Sequence, residues 1–429
     1  MNLSEKDHQF IWHPYTHQKD RNKSIVVDSA KGSILFDDKG NEYIDAISSW
    51  WVTIHGHSHR YIAKKIYQQA RKLEHVIFAG FTHKPAVEFA ERLLPLLPGK
   101  FEKVFYSDNG STAVEVALKM SLQYHQNKND LKKNKILALN NSYHGDTFGA
   151  MSASSRSIFT KAFDDKLFEV IFIDCPTPSN FESVIASIDK QASEIACFIY
   201  EPLLQGAGGM KMYEAADLNV LLEYLKSKNI ICIADEVLTG FYRTGKMFAS
   251  SHCKIQPDII CLSKGITGGT MPMGVTACTS EIYESFVSID KSKTFYHGHS
   301  FTANPLSCAA ALASLDLIEQ KKFRKQLVQL ITLTAEFTEM LKIKSMDLNI
   351  KNVRQSGTIV AFEIITSEGD SYLNDIMLKF SPYCLKRGVY LRSLGNTIYT
   401  MPPYCTSKKQ LKKIFSVILS FLTDEIIPT

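Results

Sequence analysis

Through the middle of this chain, short apolar runs rich in β-branched residues alternate with longer stretches whose apolar positions recur every three or four residues. Strands buried on both faces read as continuous apolar runs, and parallel strands need long crossovers between them. The alternation therefore predicts an α/β fold with a mostly parallel central sheet joined by helices. Expected strands are 103–107, 135–139, 170–173, 196–200, 230–234 and 258–262, and expected helices include 111–126 and 216–228.

Toward both ends the texture changes. Residues 33–36 and 42–47 read as a hairpin turning through Asp37-Asp38-Lys39-Gly40-Asn41. Beyond about residue 303 come a long helical stretch, strands near 358–364 and 390–392, and a closing amphipathic helix from Lys408. This predicts a small α+β domain assembled from both termini, 1–49 and 304–429, around a large domain over 50–303. With 429 residues, 45% of them hydrophobic, the chain has ample material for such a core.

Charge and cysteine usage narrow the function classes. The net charge of +5 is small for this length, and basic runs such as Lys132-Lys133-Asn134-Lys135 and Lys321-Lys322 carry no interleaved aromatics. They read as solvated faces, and no nucleic-acid partner is expected. The nine cysteines form no C-x-x-C pair, which suits reduced thiols. The first residues are polar and charged, and no later run approaches the length of a membrane span, so a cytosolic protein with no membrane partner is expected.

In open α/β sheets ligands collect outside the carboxyl ends of the strands, so the residues just past each apolar run come first. The run 230–234 ends in Asp235, and two readings fit: a cap for the next element, or a carboxylate holding a positive ring nitrogen. The next run, 258–262, ends in Ser263-Lys264-Gly265 with Gly268-Gly269 beyond. Lys264 is either a solvated loop lysine or a partly desolvated amine suited to a Schiff base. Acid and lysine at successive strand ends are the pair that pyridoxal 5′-phosphate requires.

Two more strand ends carry suitable groups. After 103–107, Asp108-Asn109-Gly110-Ser111-Thr112 opens a helix whose free amides can take a phosphate, although Asn109 or Ser111 as a plain N-cap explains the same letters. The spacing is not that of a nucleotide P-loop. After 135–139, Tyr143 is either core packing or an aromatic stacked on a flat ring. The alternating histidines His55-Gly56-His57-Ser58-His59 and His297-Gly298-His299 raise a competing reading, a metal-dependent hydrolase, but further ligands in strand-end context are lacking and no metal is expected.

Taken in order, Asn109-Gly110-Ser111-Thr112-Ala113-Val114-Glu115, Tyr143-His144-Gly145-Asp146-Thr147, Glu201-Pro202-Leu203-Leu204-Gln205-Gly206-Ala207-Gly208-Gly209, Asp235-Glu236-Val237-Leu238-Thr239-Gly240-Phe241-Tyr242-Arg243-Thr244-Gly245 and Ser263-Lys264-Gly265 resemble the class III aminotransferases over nearly the whole chain. Trp12-His13-Pro14-Tyr15-Thr16, Ser48-Ser49-Trp50-Trp51 and Tyr399-Thr400-Met401-Pro402-Pro403-Tyr404 are similar to the branch that converts 8-amino-7-oxononanoate to 7,8-diaminononanoate in biotin synthesis. The resemblance implies fold type I, a homodimer with shared active sites, pyridoxal phosphate as cofactor, and S-adenosylmethionine or lysine as amino donor, with another class III ω-aminotransferase as the alternative.

It also implies roles. Lys264 is the Schiff-base lysine, Asp235 the partner of the ring nitrogen, Gly110 and Ser111 phosphate contacts, and Tyr143 the stacking residue. His299 and Ser300 match the place where a neighbouring subunit reaches the phosphate, with Gly298-His299-Ser300 standing where a Gly-Pro-Thr is common. Tyr15, Trp51, Tyr143, Gly298, Arg392 and Tyr399 match substrate-side positions. A guanidinium binds a carboxylate bidentately, so Arg392 suits a clamp, and the aromatics suit an aliphatic chain.

Overall fold

The computed structural model describes residues 1–19, 24–367, 369–370 and 372–426. At its centre is a seven-stranded sheet, in spatial order Phe101–Ser107, Gly274–Thr279, Ile259–Leu262, Ile231–Asp235, Ile195–Tyr200, Lys135–Leu139 and Val170–Ile173. All run the same way except Gly274–Thr279, which is antiparallel to both of its neighbours.

The pleat sends successive residues to opposite faces. Leu137, Phe198, Tyr200, Ala234 and Leu262 enter one core, and Ile136, Ala138, Ile199, Ile233 and Cys261 enter the other. Helices cover both faces, which is why these strands read as unbroken apolar runs. Helix Gly110–Asn127 follows the Phe101–Ser107 strand directly and buries Ala113, Val114, Val116 and Ala117 in the second core.

The expected strand positions hold within a residue or two, and the sheet has one strand more than expected. Gly274–Thr279 is buried almost throughout, yet its residues are Gly, Val, Thr, Ala, Cys and Thr, which offer little apolar contrast. A glycine is demanded at its start, since a Cβ on Gly274 would lie 2.3 Å from the Asn109 carbonyl oxygen. The helical stretch after 303 is two helices, Pro305–Ile318 and Lys321–Ile343.

The two ends of the chain share structure. Val27–Lys31, Ile34–Asp37 and Glu42–Asp45 form an antiparallel set, and Val389–Tyr390 adds to it in parallel, pairing Tyr390 with Asp45. The turn between the second and third strands is organised by Asp37, whose carboxylate accepts the Lys39 and Asn41 amides, and Gly40 takes φ +81°. A separate antiparallel sheet holds Ile350–Ser356, Ile359–Ile364 and Thr397–Thr400. No helix among the described residues is long and apolar enough to cross a membrane.

Candidate active site

Asp235 closes its strand and is 4% exposed. One carboxylate oxygen meets His144 Nδ1 at 2.7 Å, and the other accepts the Val237 amide at 3.1 Å. His144 is itself tied down by its amide, which donates to Ser154 Oγ at 2.8 Å, while its buried Nε2 has no hydrogen-bond partner among the described residues. Lys264 stands two residues past the neighbouring strand, in a left-handed conformation at φ 44°. Burial lowers its amine to about 8, with nearby Arg243 acting in the same sense and Asp235 and Glu201 opposing.

These groups line one cavity of about 500 Å³ together with Gly110, Ser111, Tyr143, Glu201 and Trp51. Helix Gly110–Asn127 opens on it through a reciprocal cap: Asn109 accepts the Thr112 amide, and Thr112 Oγ1 accepts the Asn109 amide. The first amides of the helix, those of Gly110 and Ser111, are left without carbonyl partners by helix geometry. A Cβ on Gly110 would meet Val237 Cγ1 at 2.7 Å, and one on Gly145 would meet Ser111 Oγ at 2.0 Å, so both glycines keep the cradle open.

Glu201 is a residue for which the sequence reading assigned no role. It is 5% exposed and accepts the amides of Tyr143 at 3.0 Å and Gly206 at 2.9 Å, fixing two segments of the cavity wall. Burial raises its carboxyl to about 7, with Asp235 adding to the shift and His144 and the two amides opposing it. It directly follows the strand Ile195–Tyr200, so the strand-end argument applied to Asp235 would have found it.

A second cavity of about 380 Å³ adjoins the first. Lys264, Tyr143, Trp51 and Val52 line both, so the two meet at the amine. Its remaining wall includes Tyr15, Trp50, Asp146, Phe159, Tyr372, Arg392 and Tyr399. Tyr15 donates to Asp146 at 2.5 Å, so the 3.1 Å contact between the Tyr15 and Tyr143 hydroxyls leaves Tyr143 as donor. Burial raises both hydroxyls well above the usual tyrosine range, which keeps these protons in place. The Arg392 guanidinium lies 5.3 Å from the Trp50 ring centroid, and Lys264 Nζ lies 4.6 Å from that of Trp51.

Trp51 Nε1 donates to the Tyr399 hydroxyl at 3.0 Å, both residues being buried. Tyr399→Phe would strand that indole N–H, and a stability loss of about 1–3 kcal/mol is expected in urea denaturation. Ser48, Ser49 and Trp51 all have positive φ, at 53°, 60° and 67°. Such conformations cost non-glycine residues about 1–3 kcal/mol each and persist only where the surroundings impose them.

Among the residues singled out from sequence, Lys264, Asp235, Tyr143, Gly110, Ser111, Tyr15, Trp51, Arg392 and Tyr399 therefore line these joined cavities. Gly298, His299 and Ser300 do not. They line a third cavity with His75, Phe78 and Phe105. The alternating histidines take separate partners: His55 faces Ser314, His57 faces Asp45 and His297 faces Lys119. Among the described residues no group of three His, Cys, Asp or Glu side chains is placed to hold a metal.

The site fits a flat, phosphorylated pyridine. It offers a helix start for the anion, a buried carboxylate backed by an imidazole for a ring N–H, and a lysine of lowered basicity for a carbonyl carbon. Fold and site together define a transferase built around a strand-end lysine. Residues 15–422 match the family described as aminotransferase class-III, and the chain belongs to that family. It is 44% identical to the adenosylmethionine-8-amino-7-oxononanoate aminotransferase of Synechococcus elongatus, over 98% of this chain and 99% of that one. Identity to the Helicobacter pylori enzyme of the same name is 38%, over 99% and 98%. Among solved structures, the same enzyme from Methanocaldococcus jannaschii superposes with a TM-score of 0.91 at 34% identity, covering 98% of each chain. An omega transaminase from Pseudomonas jessenii in complex with PMP gives 0.91 at 25% identity, covering 99% of this chain and 98% of that one.

Proposed function

We propose that this protein transfers an amino group from S-adenosylmethionine to 8-amino-7-oxononanoate, giving 7,8-diaminononanoate for biotin synthesis, with pyridoxal 5′-phosphate as cofactor. The observation that carries this is the meeting of two cavities at Lys264: a polar cradle on one side, and on the other an aromatic channel that holds the guanidinium of Arg392. Bound pyridoxal phosphate supplies a protonated ring that stores the electron pair released at the reacting carbon.

The chain's residues do the rest. The Gly110 and Ser111 amides and the Ser111 hydroxyl hold the phosphate. Asp235, oriented by His144 and the Val237 amide, keeps a proton on the ring nitrogen. Tyr143, whose amide donates to Glu201, would stack on the bound ring. Lys264 Nζ removes the proton from the donor's α-carbon and, in the second half-reaction, returns one to C7 of the acceptor. Arg392 clamps a carboxylate bidentately, and Tyr15, Trp50, Trp51 and Tyr399 wall the aliphatic chain.

This reading takes the protein as a cytosolic homodimer, in keeping with its nine free cysteines. Gly298, His299 and Ser300 of one protomer complete the phosphate site of its partner. The large domain over 50–303 carries the cofactor, and 1–49 with 304–429 form the small domain, linked by the sheet that pairs Tyr390 with Asp45.

The deciding experiment incubates cofactor-loaded protein with 8-amino-7-oxononanoate and, in turn, S-adenosylmethionine or lysine, and follows diaminononanoate. Product with S-adenosylmethionine and parallel lines in double-reciprocal plots are expected. Product with lysine alone would replace the donor, and no product with either would overturn the reading. A second expectation concerns pH. Only the neutral Lys264 amine attacks a carbonyl, so uptake of pyridoxal phosphate by cofactor-free protein should quicken about tenfold per pH unit below pH 8 and level off above it. Stopped-flow absorbance measures this directly.

A further inference from the structure

The amino-transfer reading leaves the His55–His59 motif unused, although His57 meets a fully buried carboxylate. Asp45 ends the strand Glu42–Asp45 with no exposure, so its oxygens must be satisfied by donors. Four converge on it: the Ile47 amide at 3.1 Å, the Ser49 amide at 2.7 Å, the Ser49 hydroxyl at 3.4 Å and His57 Nε2 at 2.8 Å. A carboxylate only accepts, so Nε2 carries the proton.

We propose that Asp45 and His57 form a positioning pair that sets the Ser48–Trp51 bend and, through it, the substrate-side wall at Lys264. Both amides that Asp45 holds belong to this bend or its approach, where three non-glycine residues take positive φ. The far side of the bend is held by other contacts: Ser48 Oγ donates to the Met401 carbonyl at 2.7 Å, and Arg243 donates to the Trp51 carbonyl at 3.3 Å. The bend in turn presents Trp51 to Lys264 and Tyr399, and Trp50 to Arg392 and Tyr15.

His57 is suited to this because its own backbone is pinned. Its amide donates to the Gly32 carbonyl at 2.7 Å, and its carbonyl accepts the Gly32 amide at 3.2 Å. The preceding Gly56, at φ +83°, leaves no room for a Cβ, which would meet Cys405 Sγ at 2.5 Å and Gly32 Cα at 2.9 Å. The imidazole therefore approaches Asp45 from a fixed point.

The kinetic consequence rests on the proposed function, whereas the structural one does not, and the test separates them. His57→Leu removes the donor, and His57→Gln keeps an N–H at similar reach. In the cofactor-loaded enzyme, His57→Leu should raise KM for 8-amino-7-oxononanoate about tenfold with kcat within about threefold, and His57→Gln should stay within about threefold on both. In cofactor-free protein carrying Trp12→Phe, which leaves only Trp50 and Trp51 as tryptophans, acrylamide quenching should at least double in His57→Leu and stay unchanged in His57→Gln. Unchanged quenching in His57→Leu, equal effects of the two substitutions, or a His57→Leu protein that does not fold would each overturn the proposal. The quenching result stands even if the ketone proves to be another compound.

Discussion

Lys264→Ala is expected to lower amino transfer by at least about 10⁴-fold and to abolish the borohydride-sensitive visible absorbance of the cofactor-loaded protein. Among the described residues, the other titratable groups at the junction of the two cavities are already engaged. Tyr15 and Tyr143 hold their protons too tightly to act as bases. Asp235 is engaged by His144 and the Val237 amide, and Glu201 by two backbone amides. The Lys264 side chain lines open space, so its loss should leave folding largely intact, and near-UV circular dichroism should show this. Turnover within about 100-fold of the parent would remove Lys264 from the chemistry.

Asp235→Asn should cost on the order of 10³-fold in kcat/KM for both half-reactions and weaken cofactor retention during dialysis. The substitution keeps volume and an oxygen for His144, so the effect reports charge rather than shape. An amide cannot keep a proton on the ring nitrogen, and the electron pair released at the reacting carbon is then poorly held. Single-turnover measurements of each half-reaction would check this. A variant within about tenfold of the parent would mean that the ring nitrogen is served by another group.

The placing of Lys264 and Asp235 on one cavity was legible because each stands at the end of a strand buried on both faces, and such strands declare themselves as continuous apolar runs. Lys135–Leu139 was delimited to the residue for the same reason, and Val170–Ile173, a half-buried edge strand, because its four residues are all apolar. Gly274–Thr279 was not, because its Gly, Ala, Cys and Thr residues offer little hydrophobic contrast and Gly274 answers to close approach by Asn109. The Ser48–Trp51 bend was also hidden. No residue in it favours positive φ, and its shape is dictated by Asp45, Met401 and Arg243, the last two far away in sequence. The Phe159 and Tyr372 rings pack with centroids 4.6 Å apart from loops more than 200 residues apart in sequence, a contact that no local pattern encodes.

The antiparallel strand Gly274–Thr279 also makes the sheet a ruler. It sits between the strand that leads into the Gly110 helix start and the strand that leads to Lys264, and its reversed direction leaves both of those strands ending on the same side. The ends of those two strands are thus two spacings apart, about 9–10 Å. Gly110 and Lys264 both line the cavity that spans this gap, so a ligand lodged there faces a helix start past one strand end and an amine past the other.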